Sequence, residues 1–286
     1  MVLLANPTHS AVADVPGPAR LKLDQAPAIP RLLALRLIGR RHFSPFKTYL
    51  RRDRGVVVFL NPKVGTTMFR NVLLDALSRA NAPPLLRLPW PIRPIRRMLT
   101  APATDYLHAA LHADRYACYC FVRNPYARVL SAWRDKFSLR HDETHPPRAL
   151  KRTMPALQRF AVAHGLPLQS ADARVPFATF VAYIESQREG KRDHHWDTQR
   201  SVLFTDLIRY ERAFKLETDY AEGMAEILSR LGLPTDGIAD KLARPLNASG
   251  RLARPAFDAA LAERVWRIYA SDFEQFAYER DSWQGL

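Results

Sequence analysis

Residues 54–67 have the sequence RGVVVFLNPKVGTT, which joins a strand, a short loop and the start of a helix. The run up to Leu60 is β-branched and almost wholly apolar, as in parallel strands that are covered on both faces. Asn61-Pro62 ends the run. From Thr67 to Ala80 apolar residues recur at helical spacing, so the stretch predicts a strand, a loop and a helix in direct succession.

The same alternation continues along the chain. Residues 116–122 predict a second buried strand, and Pro125 stands at the first turn of a helix that extends to about Leu139. Further helices are predicted at 106–113, 151–164, 176–188 and 216–231, with a short strand at 207–210 and an extended connection at 81–103. This order predicts an α/β fold: a doubly wound parallel sheet flanked by helices, with a helical C-terminal part.

Composition favours a globular protein with one folded domain. The chain has 286 residues, of which 47% are hydrophobic and 25% charged. Residues 1–30 contain five prolines and predict a flexible N-terminal leader, so the domain is expected to cover residues 31–286. The sequence has no apolar run of about 18 residues and no secretory signal pattern, so we predict neither a membrane span nor export.

Cysteine is scarce, because Cys118 and Cys120 are the only two in the chain. Two cysteines on one strand provide neither a disulfide framework nor a four-ligand zinc site. A reducing compartment follows as the simpler expectation, and we predict a cytoplasmic location. The spacing of His, Cys, Asp and Glu indicates no metal site.

The strong positive net charge of the chain favours anionic binding partners. The formal net charge is +15 and the pI about 10.2. This surplus favours nucleic acid, a phosphorylated cofactor, an acidic polysaccharide or peripheral contact with an anionic membrane surface. Charge alone does not choose among them.

The loop after the first strand predicts an anion site. A strand-to-helix junction presents unpaired N–H groups and the positive end of the helix dipole. Gly65 allows the backbone to approach an anion, Thr66 and Thr67 add hydroxyl donors, and Lys63 adds a mobile positive charge. Because Lys63 precedes Gly65, the loop is not the G-x-x-x-x-G-K-[ST] loop of nucleotide triphosphatases. An ordinary turn with a threonine cap and a surface lysine is the alternative.

A second anion site is predicted after residues 116–122. Arg123 lies at the carboxyl end of that strand and Ser131 two helical turns on, so both can reach one phosphate outside the sheet. A guanidinium group and a hydroxyl together can distinguish a 3′-phosphate from a bare ribose. The alternative is that Arg123 and Arg128 make only surface salt bridges.

Four segments together resemble one enzyme family, the sulfotransferases that use 3′-phosphoadenosine 5′-phosphosulfate (PAPS), and especially the carbohydrate sulfotransferases of the chondroitin and dermatan type. Residues 62–67 are similar to the 5′-phosphosulfate loop of that family, and residues 121–133 are similar to its 3′-phosphate motif. Residues 193–199 are similar to the family's Asp-x-His-Trp-x-Pro-Gln motif, with Thr198 in place of proline. Residues 269–278 are similar to its closing Tyr-x-x-Asp-Phe-x-x-Phe-x-Tyr motif. The resemblance extends over roughly residues 54–280.

The resemblance implies a P-loop-like fold and transfer of a sulfuryl group from PAPS to a hydroxyl of a carbohydrate, without a metal. The acceptor can be a polysaccharide, a glycolipid or a small glycoside. The implied PAPS-binding residues are Pro62, Lys63, Val64, Gly65, Thr66 and Thr67 in the loop, Arg123 and Ser131 at the 3′-phosphate, and Arg251 after Asn247-Ala248-Ser249.

The chemistry requires positive charge at the departing phosphate and a base for the acceptor hydroxyl. Lys63 fits the first role. His195 is the first candidate for the base, because it matches the histidine before Trp196 in the family motif and an imidazole suits proton transfer near neutral pH. A structural role for His195, orienting the loop around Trp196, stays open.

Other candidates for the base are His112 and then His108, because some related heparan-type enzymes carry their base between the two phosphate motifs. Glu185 or Glu211 would serve if no histidine does. Two other functions compete: a nucleotide-dependent kinase-like phosphotransferase, which lacks support from a GK[ST] sequence or an acidic Mg²⁺ site, and a basic nucleic-acid-binding protein, for which no recognition motif is present.

Overall fold

The computed structural model describes residues 48–80, 104–105, 108–109, 112–137, 148–169, 175–206, 208–237 and 257–286. The predicted leader at 1–30, the connection at 81–103, half of the predicted helix at 106–113 and Arg251 lie outside the described residues. None of the helices in the described ranges combines the length and the hydropathy needed to cross a lipid bilayer.

Four strands form one mixed sheet in the order β1-β2-β3-β4. Their bounds are β1 Thr48–Arg51, β2 Val56–Phe59, β3 Ala117–Val122 and β4 Arg212–Lys215. β2, β3 and β4 run parallel, with Val56 opposite Ala117 and Tyr119 opposite Arg212, whereas β1 pairs antiparallel with β2. The predicted α/β class is therefore confirmed. The reversal of strand order that defines double winding does not occur among the strands in the described ranges.

Eight α-helices surround the sheet in the part of the chain that the structure describes. They are α1 Thr66–Arg79, α2 Pro125–Lys136, α3 Arg148–Ala163, α4 Phe177–Glu185, α5 Gln199–Leu203, α6 Tyr220–Arg230, α7 Ala259–Ile268 and α8 Ala270–Gln275. α2 begins as its sequence predicts: Pro125 occupies the first turn, and the Asn124 side chain accepts hydrogen bonds from the N–H groups of Tyr126 and Ala127.

Helices cover both faces of the sheet. One face, which includes Val58 and Phe121, packs against α1 and α6. The opposite face carries Cys120 and Val122 and packs against Leu203 of α5. A separate core lies among α2, α3, α4, α7 and α8. The apolar runs of β2 and β3 are thus explained by burial on both sides.

Two predicted elements are placed wrongly. The strand expected at 207–210 is β4 at Arg212–Lys215, and Tyr210 instead donates a hydrogen bond from its hydroxyl to the carbonyl of Leu203 at 2.6 Å. The helix expected from Leu216 begins at Tyr220, because Leu216 follows directly on the strand and its N–H bonds to the carbonyl of Val122 at 2.8 Å. Both cysteines are free, as predicted.

Candidate functional site

The two predicted anion sites meet at one edge of the sheet, because the carboxyl ends of parallel strands lie side by side. The Arg123 guanidinium donates from Nη1 to the carbonyl oxygen of Lys63 at 3.1 Å. Arg123 is half-buried, and its burial lowers the pKa of the guanidinium, which the Glu217 carboxylate opposes. A partly desolvated cation at this edge favours an anionic ligand.

The loop between β2 and α1 contains two residues in the left-handed region. Lys63 has φ 68° and Gly65 has φ 75°. Gly65 is the N-cap of α1 and offers no side-chain oxygen to the helix, so the first-turn N–H groups remain for a ligand. Val64, which lies between Lys63 and Gly65, is buried in the core against the sheet and anchors the loop. Thr66 is half-buried and Thr67 is exposed.

The ammonium of Lys63 forms an ion pair with the carboxylate of Asp135 on α2. Asp135 also contacts Lys136 Nζ at 2.9 Å. Burial alone would raise the pKa of Asp135, but the two ammonium groups outweigh burial and lower its pKa to about 2. Ser131 is half-buried one turn before Asp135 on the same helix, so it faces the same side as this ion pair.

Gln199 joins the ends of β2 and β3. Its Oε1 accepts from Asn61 Nδ2 at 2.8 Å and from the Arg123 N–H at 2.9 Å, and its Nε2 donates to the Arg123 carbonyl at 2.8 Å. Asp272 on α8 accepts the N–H groups of Gln199 and Arg200 at 2.8 and 2.9 Å. Sequence reasoning assigned no role to Gln199 or Asp272, although both lie in motifs that it quoted.

His195 lies beside this edge, and its ring is oriented by Asp193. The distance from His195 Nδ1 to Asp193 Oδ1 is 2.6 Å. Burial would raise the pKa of Asp193, but bonds from the His195 ring and N–H hold it well below its usual range. A carboxylate can only accept, so Nδ1 carries a proton and Nε2 of the neutral ring is free of one.

The pKa of His195 depends on Lys63 and on other charged groups nearby. Burial lowers the pKa of His195, Asp193 opposes this, and the ammonium groups of Lys136 and Lys63 lower it further. A neutral imidazole with an unprotonated Nε2 is able to accept a proton at neutral pH. The structure therefore brings together Lys63, Arg123 and His195, three of the predicted site residues.

Arg128 on α2 is buried, so the alternative that it makes only surface salt bridges is wrong. The residue is 1% exposed. Its guanidinium donates to the carbonyls of Pro62, His194 and Asp197 at 3.1, 3.1 and 2.6 Å, and to Asn61 Oδ1 at 3.3 Å. Carbonyl acceptors leave no sequence signal, so composition and spacing could not find these contacts.

Comparison with known proteins agrees with this arrangement. A family model described as the sulfotransferase family matches residues 48–279. The chain belongs to the sulfotransferase family. The match runs from β1 beyond α8, so it includes both anion motifs, the His195 loop and the closing aromatic motif, and the family resemblance predicted from the sequence is confirmed.

Several curated relatives of this sulfotransferase-family chain are carbohydrate sulfotransferases. Carbohydrate sulfotransferase 12 of Mus musculus is 27% identical over 176 residues, 58% of this chain and 41% of that protein. Carbohydrate sulfotransferase 11 of Rattus norvegicus is 27% identical over 174 residues, 57% of this chain and 47% of that protein. Carbohydrate sulfotransferase 8 of Homo sapiens is 26% identical over 241 residues, 80% of this chain and 54% of that protein. The chain thus spans about half the length of these relatives. No solved structure matches.

The histidine candidates other than His195 lie far from Lys63 in the fold. His112 precedes β3, whereas Arg123 follows it, so a six-residue strand of roughly 17–20 Å separates them. The His112 ring contacts the ring of His108 at an interplanar angle of 50°, with centroids 4.6 Å apart. His108 Nδ1 is 2.8 Å from the Tyr116 hydroxyl.

Neither glutamate candidate joins the site. Glu185 pairs with Arg264 at 2.6 Å at the end of α4. Glu211 precedes β4, at the same end of the sheet as His112, and its carboxylate is 3.9 Å from Arg230. Of these candidates, His195 lies close enough to Lys63 for that ammonium to lower its pKa.

One group of side chains in the described ranges could converge on a cation, a feature that sequence spacing did not indicate. Donor atoms of Asp193, His194 and His195 all lie within 4.8 Å of one another. Asp193 already accepts from His195, and the positive charges of Lys63 and Lys136 act on the same ring. Both features favour an anion over a cation at this edge.

Proposed function

We propose that this chain transfers a sulfuryl group from PAPS to a hydroxyl of a carbohydrate. The observation that carries the proposal is the contact between the two anion motifs, in which Arg123 donates to the Lys63 carbonyl. A donor with a 5′-phosphosulfate and a 3′-phosphate needs two neighbouring anion sites, and this contact makes the two motifs neighbours. Family membership and the names of the curated relatives support the same activity.

The residues fit the donor. The uncapped first turn of α1, Gly65 in the left-handed region and the Lys63 ammonium suit a phosphosulfate, and they give the loop the P-loop-like character that we propose for it. The partly desolvated Arg123 suits a phosphate. When bound, PAPS supplies the sulfuryl group and leaves as 3′-phosphoadenosine 5′-phosphate (PAP).

Each side chain has one proposed task. Pro62, Lys63, Val64, Gly65, Thr66 and Thr67 enclose the 5′ side, Arg123 and Ser131 bind the 3′-phosphate, and Arg251 is proposed as a further contact from outside the described residues. Lys63 also stabilises charge that develops on the leaving phosphate, for which its ammonium must move from Asp135 to the anion.

His195 is proposed as the base that takes the proton of the acceptor hydroxyl. Asp193 holds Nδ1, which leaves the unprotonated Nε2 to accept the hydroxyl proton. His112 remains the second candidate. Replacing His195 with alanine should slow transfer roughly 10²–10⁴-fold, the usual share of a positioned base, with PAP affinity unchanged.

The matched replacement His112→Ala should leave transfer unchanged, because this ring lies at the other end of β3. The reverse pattern, an inactive His112→Ala protein and an active His195→Ala protein, would assign the base to His112. Circular dichroism of both proteins separates loss of the base from loss of the fold.

Calorimetry tests the donor site. PAP should bind far more tightly than adenosine 5′-phosphate, and Arg123→Ala should weaken PAP binding by about 1.5–3 kcal/mol. Adenosine 5′-phosphate should lose less, because Arg123 contacts the 5′ loop only through the Lys63 carbonyl. Arg264→Ala, which removes an exposed guanidinium paired with Glu185, is the matched control and should change neither affinity. Equal affinities of the wild-type protein for the two nucleotides would overturn the 3′-phosphate site.

Transfer itself is tested with sulfur-labelled PAPS and a panel of polysaccharides, glycolipids and small glycosides, read by mass spectrometry. We expect label on a carbohydrate and none from γ-labelled ATP; the opposite result would favour a kinase-like phosphotransferase. Lys63→Ala should reduce kcat more than it weakens PAP binding. Peripheral membrane contact and a cytoplasmic location stay predictions, which cell fractionation checks.

A further inference from the structure

Arg128 joins the two loops that the proposed transfer depends on. Its guanidinium binds the carbonyl of Pro62, the residue before Lys63, and the carbonyl of His194, the residue before His195. We infer that Arg128 is a positioning residue that sets the backbone of both loops, and therefore the distance between Lys63 and His195. This role rests on the proposed function.

The planarity of the peptide bond explains how a carbonyl contact acts on the next residue. In a trans peptide the C=O of one residue and the N–H of the next point in opposite directions. When Arg128 holds the Pro62 carbonyl, the N–H of Lys63 must point away from α2. Arg123 holds the Lys63 carbonyl in the same way, which turns the N–H of Val64. Two buried or half-buried guanidinium groups thus hold successive peptides of a loop in which Lys63 has φ 68°.

The same argument applies to the His195 loop, where the structure gives the hydrogen-bond partner of each following N–H group. Arg128 holds the His194 carbonyl, and the N–H of His195 points to Asp193 Oδ1 at 2.9 Å. It also holds the Asp197 carbonyl, and the N–H of Thr198 points to Asp197 Oδ1 at 3.0 Å. Asp193 is the carboxylate that fixes the His195 ring. By orienting the peptide between His194 and His195, Arg128 therefore positions the backbone of the His195–Asp193 pair.

A guanidinium is suited to this position and an ammonium is not. The four acceptors lie on two separate loops and are met by Nε, Nη1 and Nη2 of one planar group. Lysine offers three donors from a single nitrogen and cannot span both loops. Burial lowers the pKa of Arg128, and the charges of Asp272 and Asp197 oppose this shift. The acceptors named here are neutral, so the group acts by donor geometry.

Steady-state kinetics and PAP calorimetry on Arg128→Lys and Arg128→Ala test the inference. We expect kcat to fall about 100-fold, the effect of misplacing reacting groups by about 1 Å, while PAP affinity falls less than tenfold because Lys63, Arg123 and the α1 N-terminus remain. Millimolar guanidinium should restore kcat of Arg128→Ala, whereas urea and ammonium should not. Leu130→Ala, a buried replacement on the same helix, should lose stability and keep kcat.

Hydrogen exchange gives a readout that does not need activity. In both Arg128 variants, peptides covering residues 193–198 and 63–66 should exchange faster, and guanidinium should restore protection in Arg128→Ala. Failure of the proposed function is seen separately, as a wild-type protein that neither binds PAP nor transfers sulfate.

Three results would overturn the inference itself. The first is a folded Arg128→Ala protein with wild-type kcat and wild-type exchange in both loops. The second is an equal loss of kcat and of PAP affinity without rescue by guanidinium. The third is a chain that folds with neither alanine nor lysine at 128, because Arg128 would then be a folding requirement only.

Discussion

Replacement of Gly65 by alanine tests the backbone geometry of the anion loop. Gly65 has φ 75° and ψ 21°, a conformation that costs about 1–2 kcal/mol for a residue with a Cβ atom. An added Cβ would also lie 3.0 Å from Leu216 Cδ1 and 3.3 Å from the Tyr220 ring. One of these side chains must shift, which adds about 1 kcal/mol. We therefore expect Gly65→Ala to lose about 2–3 kcal/mol of unfolding free energy.

The chain provides a control that separates the two contributions. Gly165 follows α3 with φ 61°, and an added Cβ there would meet nothing within 4 Å. Gly165→Ala should therefore lose only the backbone part, about 1–2 kcal/mol. The difference of about 1 kcal/mol between the two variants is then the contact with Leu216 and Tyr220.

Urea unfolding monitored by circular dichroism measures both losses, and PAP calorimetry shows whether the loop still binds an anion. Gly65→Ala should weaken PAP binding, because its displaced loop shifts the N–H groups at the start of α1, and Gly165→Ala should not. Losses below about 0.5 kcal/mol in both proteins would refute the backbone argument. Equal losses would refute the contact, and unchanged PAP affinity of Gly65→Ala would show that this glycine does not shape the anion site.

Three further predictions concern charge and strain at the same edge. Lys63→Gly should be about 1–2 kcal/mol more stable to urea than Lys63→Ala, because both lack the ammonium but only alanine keeps the strain of φ 68°; equal stability would contradict this. Asp135→Asn should tighten PAP binding severalfold in calorimetry by releasing Lys63 from its ion pair, and should have no effect in a Lys63→Ala background. Burial raises the pKa of Asp272 to about 6, so the folded protein binds more protons than the unfolded chain, and stability should fall as pH rises from about 4 to about 6. Asp272→Asn should remove about 3 kcal/mol of this dependence, and an unchanged slope in urea titrations at pH 4–7 would show that Asp272 is not its source.

The sequence predicted correctly those elements whose burial or boundaries depend on their own residue types. β2 and β3 are apolar runs because both faces are buried, and α2 begins where Asn124 and Pro125 predict. Lys63 and Arg123 were placed correctly at the ends of these strands, since parallel strands share a carboxyl edge. Their roles in binding and transfer stay predictions.

Other parts of the fold depend on partners that local patterns do not show. β1 was missed because this short edge strand, TYLR, has no extended alternation and is fixed by its antiparallel pairing with β2. The strand before α6 was placed too early because Ile208 and Tyr210 are as apolar as β4 itself. Arg128 and Gln199 act on main-chain groups more than 60 residues away, and a main-chain acceptor has no residue type to recognise.

The amide of Gln199 has a consequence for the order in which the molecule assembles. It bonds to Arg123 across 76 positions of sequence and to Asn61 across 138. Closing such long loops is slow compared with forming a helix, so this edge should be among the last parts of the chain to become native. The Arg123 N–H, which Gln199 accepts, should then exchange with solvent only when distant segments separate together. A nascent chain that ends before residue 199 would contain both anion motifs without the side chain that holds them in register.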